Sequence, residues 1–244
     1  MKKIVLSILL ILSAGILFSN GDEEDIIYTK EASSGPPLQI IVTAGPGWSH
    51  TFKLRVVTFQ ATPQIVVWVE TPDGEYIDTL FITRRFGKQV WKMAPEQEDD
   101  QTFRIETIPY WMYKLRDAGI SPPTADSPVS DSITGATPDW SFIIDSVIET
   151  GLNEVSIFLE VNLPFDGNDN FPNDEPPDSE KYNAASGQPA IVFKAVVKLN
   201  EPGIYVMLPV GYSSPSGIDG SLTEDMSVIT TALSIIAGIK VVVE

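Results

Sequence analysis

The sequence predicts a mainly-β fold, an immunoglobulin-like antiparallel β-sandwich with one or two short helices. Three observations predict it. Ile65–Thr83 reads as a hairpin, about nine short segments carry strand patterns between turn signals, and only two segments show helical spacing.

The hairpin is the clearest element. In Ile65–Glu70, Ile65, Val67 and Val69 face one way and Val66, Trp68 and Glu70 the other, so the strand is apolar on both faces and belongs inside a sheet. Pro72-Asp73-Gly74 supplies the turn: proline presets φ, aspartate bonds its own backbone, and glycine takes positive φ. The return strand Tyr76–Thr83 alternates, with Tyr76, Leu80 and Ile82 on one side and Ile77, Thr79 and Phe81 on the other.

Taken from the start, Met1–Gly21 has the layout of a secretory signal peptide: basic Lys2 and Lys3, an apolar run Ile4–Phe18, then small residues. A run of about 15 residues is short for a membrane span, which needs roughly 20, and no later stretch is long and apolar enough. The expectation is an exported, soluble, periplasmic or extracellular protein with no transmembrane span after cleavage. Residues 22–37 are polar and end in Ser33-Ser34-Gly35-Pro36-Pro37, a flexible leader. Residues 38–244 read as one sandwich domain with an acidic insertion at 166–186.

Within that domain, Leu38–Thr43 and Phe52–Phe59 precede the hairpin as strands. Ile108–Ala118 reads as a helix: Thr107 caps it, Pro109 fits its first turn, Trp111, Met112 and Leu115 share a face, and Gly119 stops it. Residues 121–139 form a loop rich in Pro, Ser and Thr. Strands resume at Ser141–Ile148, Glu154–Asn162, Ala190–Leu199, Ile204–Val210 and Ile239–Val243. Glu154–Asn162 alternates as a half-buried strand does. Met226–Ile236 fits a second helix capped by Asp225.

Charge and composition exclude several functions. Without Lys2 and Lys3 the chain has 14 basic residues against 33 acidic ones, a net charge of −19. Such a surface repels phosphate backbones, so nucleic acid is excluded as a partner. There is no cysteine, hence no disulfide framework and no thiol chemistry. One histidine, His50, rules out multi-histidine zinc sites and argues against a Ser-His-Asp triad, so His50 is expected to be a locally hydrogen-bonded loop residue. Gly211-Tyr212-Ser213-Ser214-Pro215 misses the nucleophile elbow at its last position.

The hairpin, Ile108-Pro109-Tyr110-Trp111, Asp131–Pro138, Glu160-Val161-Asn162, Ser186-Gly187-Gln188-Pro189, Ser214–Gly217 and Asp219–Asp225 occur in the order seen in a bacterial family. In this set the chain resembles the predicted periplasmic proteins built on domain of unknown function 2271. The resemblance implies an exported β-sandwich acting as a non-catalytic binding or accessory protein, with an envelope protein as partner. Relatives are encoded near, or fused to, flavin-binding and membrane-reductase proteins, which implies a flavin-linked redox setting.

Asp131-x-x-Thr134-Gly135-Ala136-Thr137 is similar to the site where an exported flavin transferase attaches FMN to a threonine. The alternative function is therefore a redox carrier with covalent FMN on Thr137. Gly135 and Ala136 would let the transferase close over the backbone, and Asp131 would aid docking. The competing expectation is a turn capped by Asp131, with positive φ at Gly135.

Asp166, Asn168 and Asn170 alternate like the start of a calcium loop, and Asp174, Glu175, Asp178 and Glu180 follow. Phe171 stands at the loop's sixth place and Pro177 at its twelfth, so calcium would need another geometry. A solvated loop is the favoured expectation, as is a chain without cofactor. Arg84, Arg85, Lys88 and Lys92 form the basic run, expected as a charged sheet edge. Trp48, Trp68, Trp91, Trp111 and Trp140 are expected in the core.

Overall fold

A computed structural model describes residues 25–54, 56–89, 104–173, 175, 176, 179, 186–214 and 219–244. The expected signal peptide, together with Trp91, Lys92, Asp174, Pro177, Asp178, Glu180 and Pro215–Gly217, lies outside the described residues.

The strands, in chain order, are β1 (Asp25–Tyr28), β2 (Pro37–Ala44), β3 (His50–Leu54), β4 (Val57–Ala61), β5 (Gln64–Glu70), β6 (Tyr76–Thr83), β7 (Thr134–Gly135), β8 (Phe142–Val147), β9 (Glu154–Asn162), β10 (Ile191–Lys198), β11 (Gly203–Ser213), β12 (Leu222–Thr223) and β13 (Ile236–Val243). Two α-helices accompany them, α1 (Arg84–Gly87) and α2 (Pro109–Asp117). Hydrogen bonding runs unbroken through β1-β8-β2-β13-β11-β10-β9-β5-β6-β7, with β12 added to β11, while β3 and β4 form a separate ribbon.

The mainly-β expectation holds. In place of an immunoglobulin-like pair of sheets there is one eleven-stranded sheet curled nearly closed, like a barrel. Strand β11 is the reason. Its first part, Gly203–Met207, pairs with β13, and the part from Leu208 to Tyr212 pairs with β10, with a register shift at Val192/Phe193. Such a shift bends a strand and increases its twist, so β11 carries the sheet round a corner. The far ends then approach: the Lys30 N–H donates to the Ser132 carbonyl at 3.2 Å, and the side chain of Ile27 lies 3.6 Å from where a Cβ on Gly135 would stand.

The inward faces form the main core, in which Ile40, Ile65, Val67, Phe81, Phe142, Leu159 and Val241 are buried. A second cluster lies outside the sheet, where α2 lays Trp111, Met112 and Leu115 on Val66, Trp68, Ile82 and Phe158. The hairpin has the expected ends and turn, with Gly74 at φ +91° and Thr71 N–H bonded to Glu75 O at 2.8 Å. Its return strand does not alternate strictly. Register shifts between Val67 and Trp68 and between Val69 and Glu70 put Leu80 beside Phe81 in the main core. Bulges of this kind are invisible to period-two counting.

Helix α2 matches its expected span, but its N-terminus has no side-chain cap from Thr107. Strand β9, expected to be half-buried, is buried from Val155 onward because α2 covers its outer face. Four further expectations are corrected. Phe52–Phe59 is broken into β3 and β4, which pair with each other. Met226–Ile236 holds only a short 3-10 turn, Thr231–Ser234; its β-branched residues are poor helix formers, and Ile229, Ala232, Ile235 and Ile236 enter the core without an α-helix. Part of the supposed leader, Asp25–Tyr28, pairs in parallel with β8. The basic run turns into α1, with Arg84 and Arg85 exposed, instead of a charged edge strand. Among the described residues no helix is long and apolar enough to cross a membrane.

Candidate functional site

Two arrangements of buried acid and one bare apolar surface stand out among the described residues. Glu160 projects from β9 toward α2 and is fully buried. Its two carboxylate oxygens accept the N–H groups of Tyr110 (3.0 Å) and Trp111 (2.8 Å), which belong to the first turn of α2. A helix leaves its first N–H groups without partners and carries positive partial charge there. Glu160 supplies the cap that Thr107 was expected to give. Burial pushes its carboxyl up to about 8, against those two backbone bonds, which pull it down. Only the ionised group offers both oxygens freely to donors, so the state of Glu160 and the seating of α2 are coupled.

On the neighbouring strand β5, Glu70 accepts from Trp68 Nε1 at 2.8 Å and pairs with Lys114 of α2 at 3.0 Å. Lys114 also donates to Gly74 O, tying the helix to the hairpin turn. Trp111 Nε1 donates to Thr79 Oγ1 at 2.8 Å, and Thr79 in turn bonds Tyr76. Burial pushes the Tyr76 hydroxyl up to about 12. Each acid here is occupied in holding a helix to a sheet.

At the start of the acidic insertion stands a second buried carboxyl. Asp166 Oδ1 accepts from the Gln188 N–H at 3.0 Å, and its backbone carbonyl accepts from Gln188 Nε2 at 2.7 Å. Burial pushes Asp166 up to about 7. Gln188 also reaches Thr231 Oγ1 (2.6 Å) and accepts from Thr230 N–H (2.7 Å), so one amide stitches three loops. Gly187, at φ +67°, lets the chain pass 2.7 Å from Gly167 N, measured to a Cβ built on it. Of the proposed calcium ligands, Asn168 spends Oδ1 on the N–H groups of Asn170 and Phe171 and Nδ2 on Val228 O. Asn170 is exposed, and Asp174 lies outside the described residues. Among the described residues no three His, Cys, Asp or Glu side chains are grouped as a metal site.

In the flavin motif, Asp131 opens a 3-10 turn and pairs with Lys88, which holds its exposed carboxyl below the usual range. Thr134 and Gly135 form β7, paired in parallel with Ile82 and Thr83. Gly135 therefore does not take the positive φ of a turn; it is there because a Cβ would stand 2.9 Å from the Phe81 ring. Ala136 is exposed. Thr137 is half-buried and its hydroxyl donates to Pro63 O at 3.1 Å.

The other singled-out residues are placed as follows. Trp48, Trp68 and Trp111 are fully buried, whereas Trp140 is 57% exposed, contrary to expectation. His50 opens β3 and packs its ring edge-on to Phe52; its buried Nε2 has no hydrogen-bond partner, so the expected local bond is not made there. Ser213 is buried in β11 and bonded to Ala190 O, not on an elbow.

The bare surface is the outer face of the sheet beyond α2. Val196 on β10, Ile204, Val206 and Leu208 on β11, and Ile26 and Tyr28 on β1 are between 46% and 63% exposed. The strand registers align Val206, Lys240, Ile41, Ile143 and Ile26 in one row, and Ile204, Val242, Gln39, Asp145 and Tyr28 in the next. Sheets that meet water normally turn polar residues outward. Sequence reasoning missed this face, although the signal was present: Ile40-Ile41-Val42 and Phe142-Ile143-Ile144 are apolar without alternation. Glu160 carried a weaker signal, since it falls on the polar side of an alternating strand and only Phe158 beside it hints that this side is covered. Gln188 carried no signal.

No family model matches the chain, and neither a curated protein nor a solved structure matches it.

Proposed function

We propose that this protein is a non-catalytic, exported binding or accessory module of the cell envelope, and that it docks through the bare outer face of its sheet. The observation that carries this reading is the set of exposed apolar residues on the sheet's outer side, Ile204, Val206 and Leu208 on β11, Val196 on β10 and Ile26 and Tyr28 on β1. Apolar patches of such extent on folded proteins mark interaction sites. The buried acids support it from the other side, since Glu70, Glu160 and Asp166 are consumed in structural hydrogen bonds. In this reading the two halves of the curled sheet serve as the layers of an immunoglobulin-like sandwich. Export rests on the Met1–Gly21 pattern, and the mass of protein recovered from outside the cytoplasm tests cleavage after Gly21.

The test of docking is affinity capture from the envelope with the wild-type chain and with Leu208→Asp. A partner held by the first and lost from the second supports the reading, and identical recoveries overturn it. The alternative, covalent FMN on Thr137, would need the Thr137–Pro63 hydrogen bond to open first; intact mass after co-expression with a flavin transferase decides it. Calcium at the acidic insertion is tested by melting with calcium and with chelator, where an unchanged midpoint removes it.

A further inference from the structure

We propose that the bare face is covered by a second copy of this chain, in a closed, face-to-face dimer. The proposal rests on the reading of that face as a docking surface and names its occupant. The argument is charge placement. Across the two aligned rows, the charged side chains are Lys240 on β13 and Asp145 on β8, standing on either side of β2 and one row apart. Gln39, between them, donates to Asp145 at 3.0 Å and holds it in the face. In a two-fold contact the same patch serves both copies, so that residue i meets j and j meets i. Opposite charges set diagonally about the middle of an apolar patch are what such a contact satisfies twice.

The rest of the charge distribution points the same way. The chain has a net charge of −17, and like-charged surfaces repel. Yet the outward positions of β10, β11 and β13 present Lys194, Lys198 and Lys240 among valines, isoleucine and leucine, with no acid. Lys194 lies over the Phe158 ring, and Lys198 pairs with Glu201 at the rim. Over β10, β11 and β13 two acidic molecules can meet without setting acids against acids, and Asp145 on β8 is the acid that Lys240 of the second copy would meet. On the side of the corner that carries Lys240 and Asp145, the five strands from β11 to β1, about 4.8 Å apart, span roughly 20 Å. A head-to-tail contact would leave the same apolar face open on the last copy, whereas the closed pair covers both.

Sedimentation equilibrium of the full chain tests this. The wild type is expected as a dimer. Leu208→Asp and Val206→Glu are expected as folded monomers, because both positions point outward. Lys240→Asp and Asp145→Lys are each expected to weaken association at least about tenfold, and the double exchange to restore most of it. A wild-type monomer throughout the micromolar to submillimolar range overturns the proposal, as does a dimer indifferent to all four substitutions. If that monomer still loses an envelope partner on Leu208→Asp, only the second copy is wrong; if it loses none, the docking reading falls with it.

Discussion

The two halves of the sheet's outer surface begin from the same pattern and end differently. On β6, β5 and β9, outward Ile82, Val66, Trp68 and Phe158 are covered by α2 and fully or almost fully buried. On β11, outward Ile204, Val206 and Leu208 remain more than half exposed. Hydrophobic alternation does not separate these cases, since both halves carry large apolar residues on the outward side. The buried charges do. Glu160 and Glu70 stand only where a helix must be held, and each bonds to that helix. The bare half carries Lys240 and Asp145, which are not buried. Within this sheet, the buried acids among the described residues mark the half that α2 covers.

The largest effect that would break this contrast is loss of the helix's anchor. Trp111 is fully buried between sheet and helix, and Trp111→Ala is expected to cost about 3–5 kcal/mol in urea unfolding. A cost below about 1 kcal/mol, as expected for an exposed site, would mean that α2 is an ornament and that the two halves are alike. Next comes the clasp. Glu160→Ala leaves two backbone N–H groups without acceptors in a buried place, at a cost of about 2–4 kcal/mol, with proteolysis rising near Pro109–Asp117. Glu160→Gln keeps one acceptor and should cost less.

The contrast sharpens with pH. Glu160 is raised to about 8 and Asp166 to about 7, so the folded chain binds more protons than the unfolded one above the ordinary carboxyl range. The stability these protons confer is fully present below about pH 4 and is lost as pH rises through 7 to 8. Repulsion among the surplus acids acts in the same direction, so the wild type alone does not isolate the effect. The difference between wild type and Glu160→Gln does, because glutamine does not titrate. The slope of stability between pH 5 and 8 should be shallower in the variant, and equal slopes would show that Glu160 is ionised throughout.

Much of the covered half was legible in the residues. The hairpin, the span of α2, β9 and the burial of Trp68 and Trp111 all followed from local period and turn chemistry. What was not legible required contacts between distant segments. Glu160 caps a helix 49 residues away, and nothing near Thr107 announces that. The acidic insertion looked like a solvated loop because Asp166 gives no hint of Gln188, which buries it. Bulges at Val67/Trp68 and Val192/Phe193 shift side chains between faces and join what looked like two sheets. The helix expected over Met226–Ile236 does not form because its β-branched residues outweigh its helical apolar spacing. Of the candidate flavin site, the motif was legible, but the hydrogen bond from Thr137 to Pro63 was not.

The smallest expected effect is the most informative about the bare half. Leu208 points outward and is 63% exposed, so Leu208→Ser removes little buried area from the isolated chain. Its unfolding free energy, measured at a protein concentration low enough to favour single copies, should move by no more than about 0.5 kcal/mol. At high concentration the wild type should gain stability by mass action and the variant should not, since anything that binds only the folded chain stabilises it. Equal behaviour at both concentrations would mean that the apolar face is solvated as it stands. A loss comparable to that of Trp111→Ala at low concentration would mean instead that Leu208 is covered by the chain's own residues, and the contrast between the two halves would disappear.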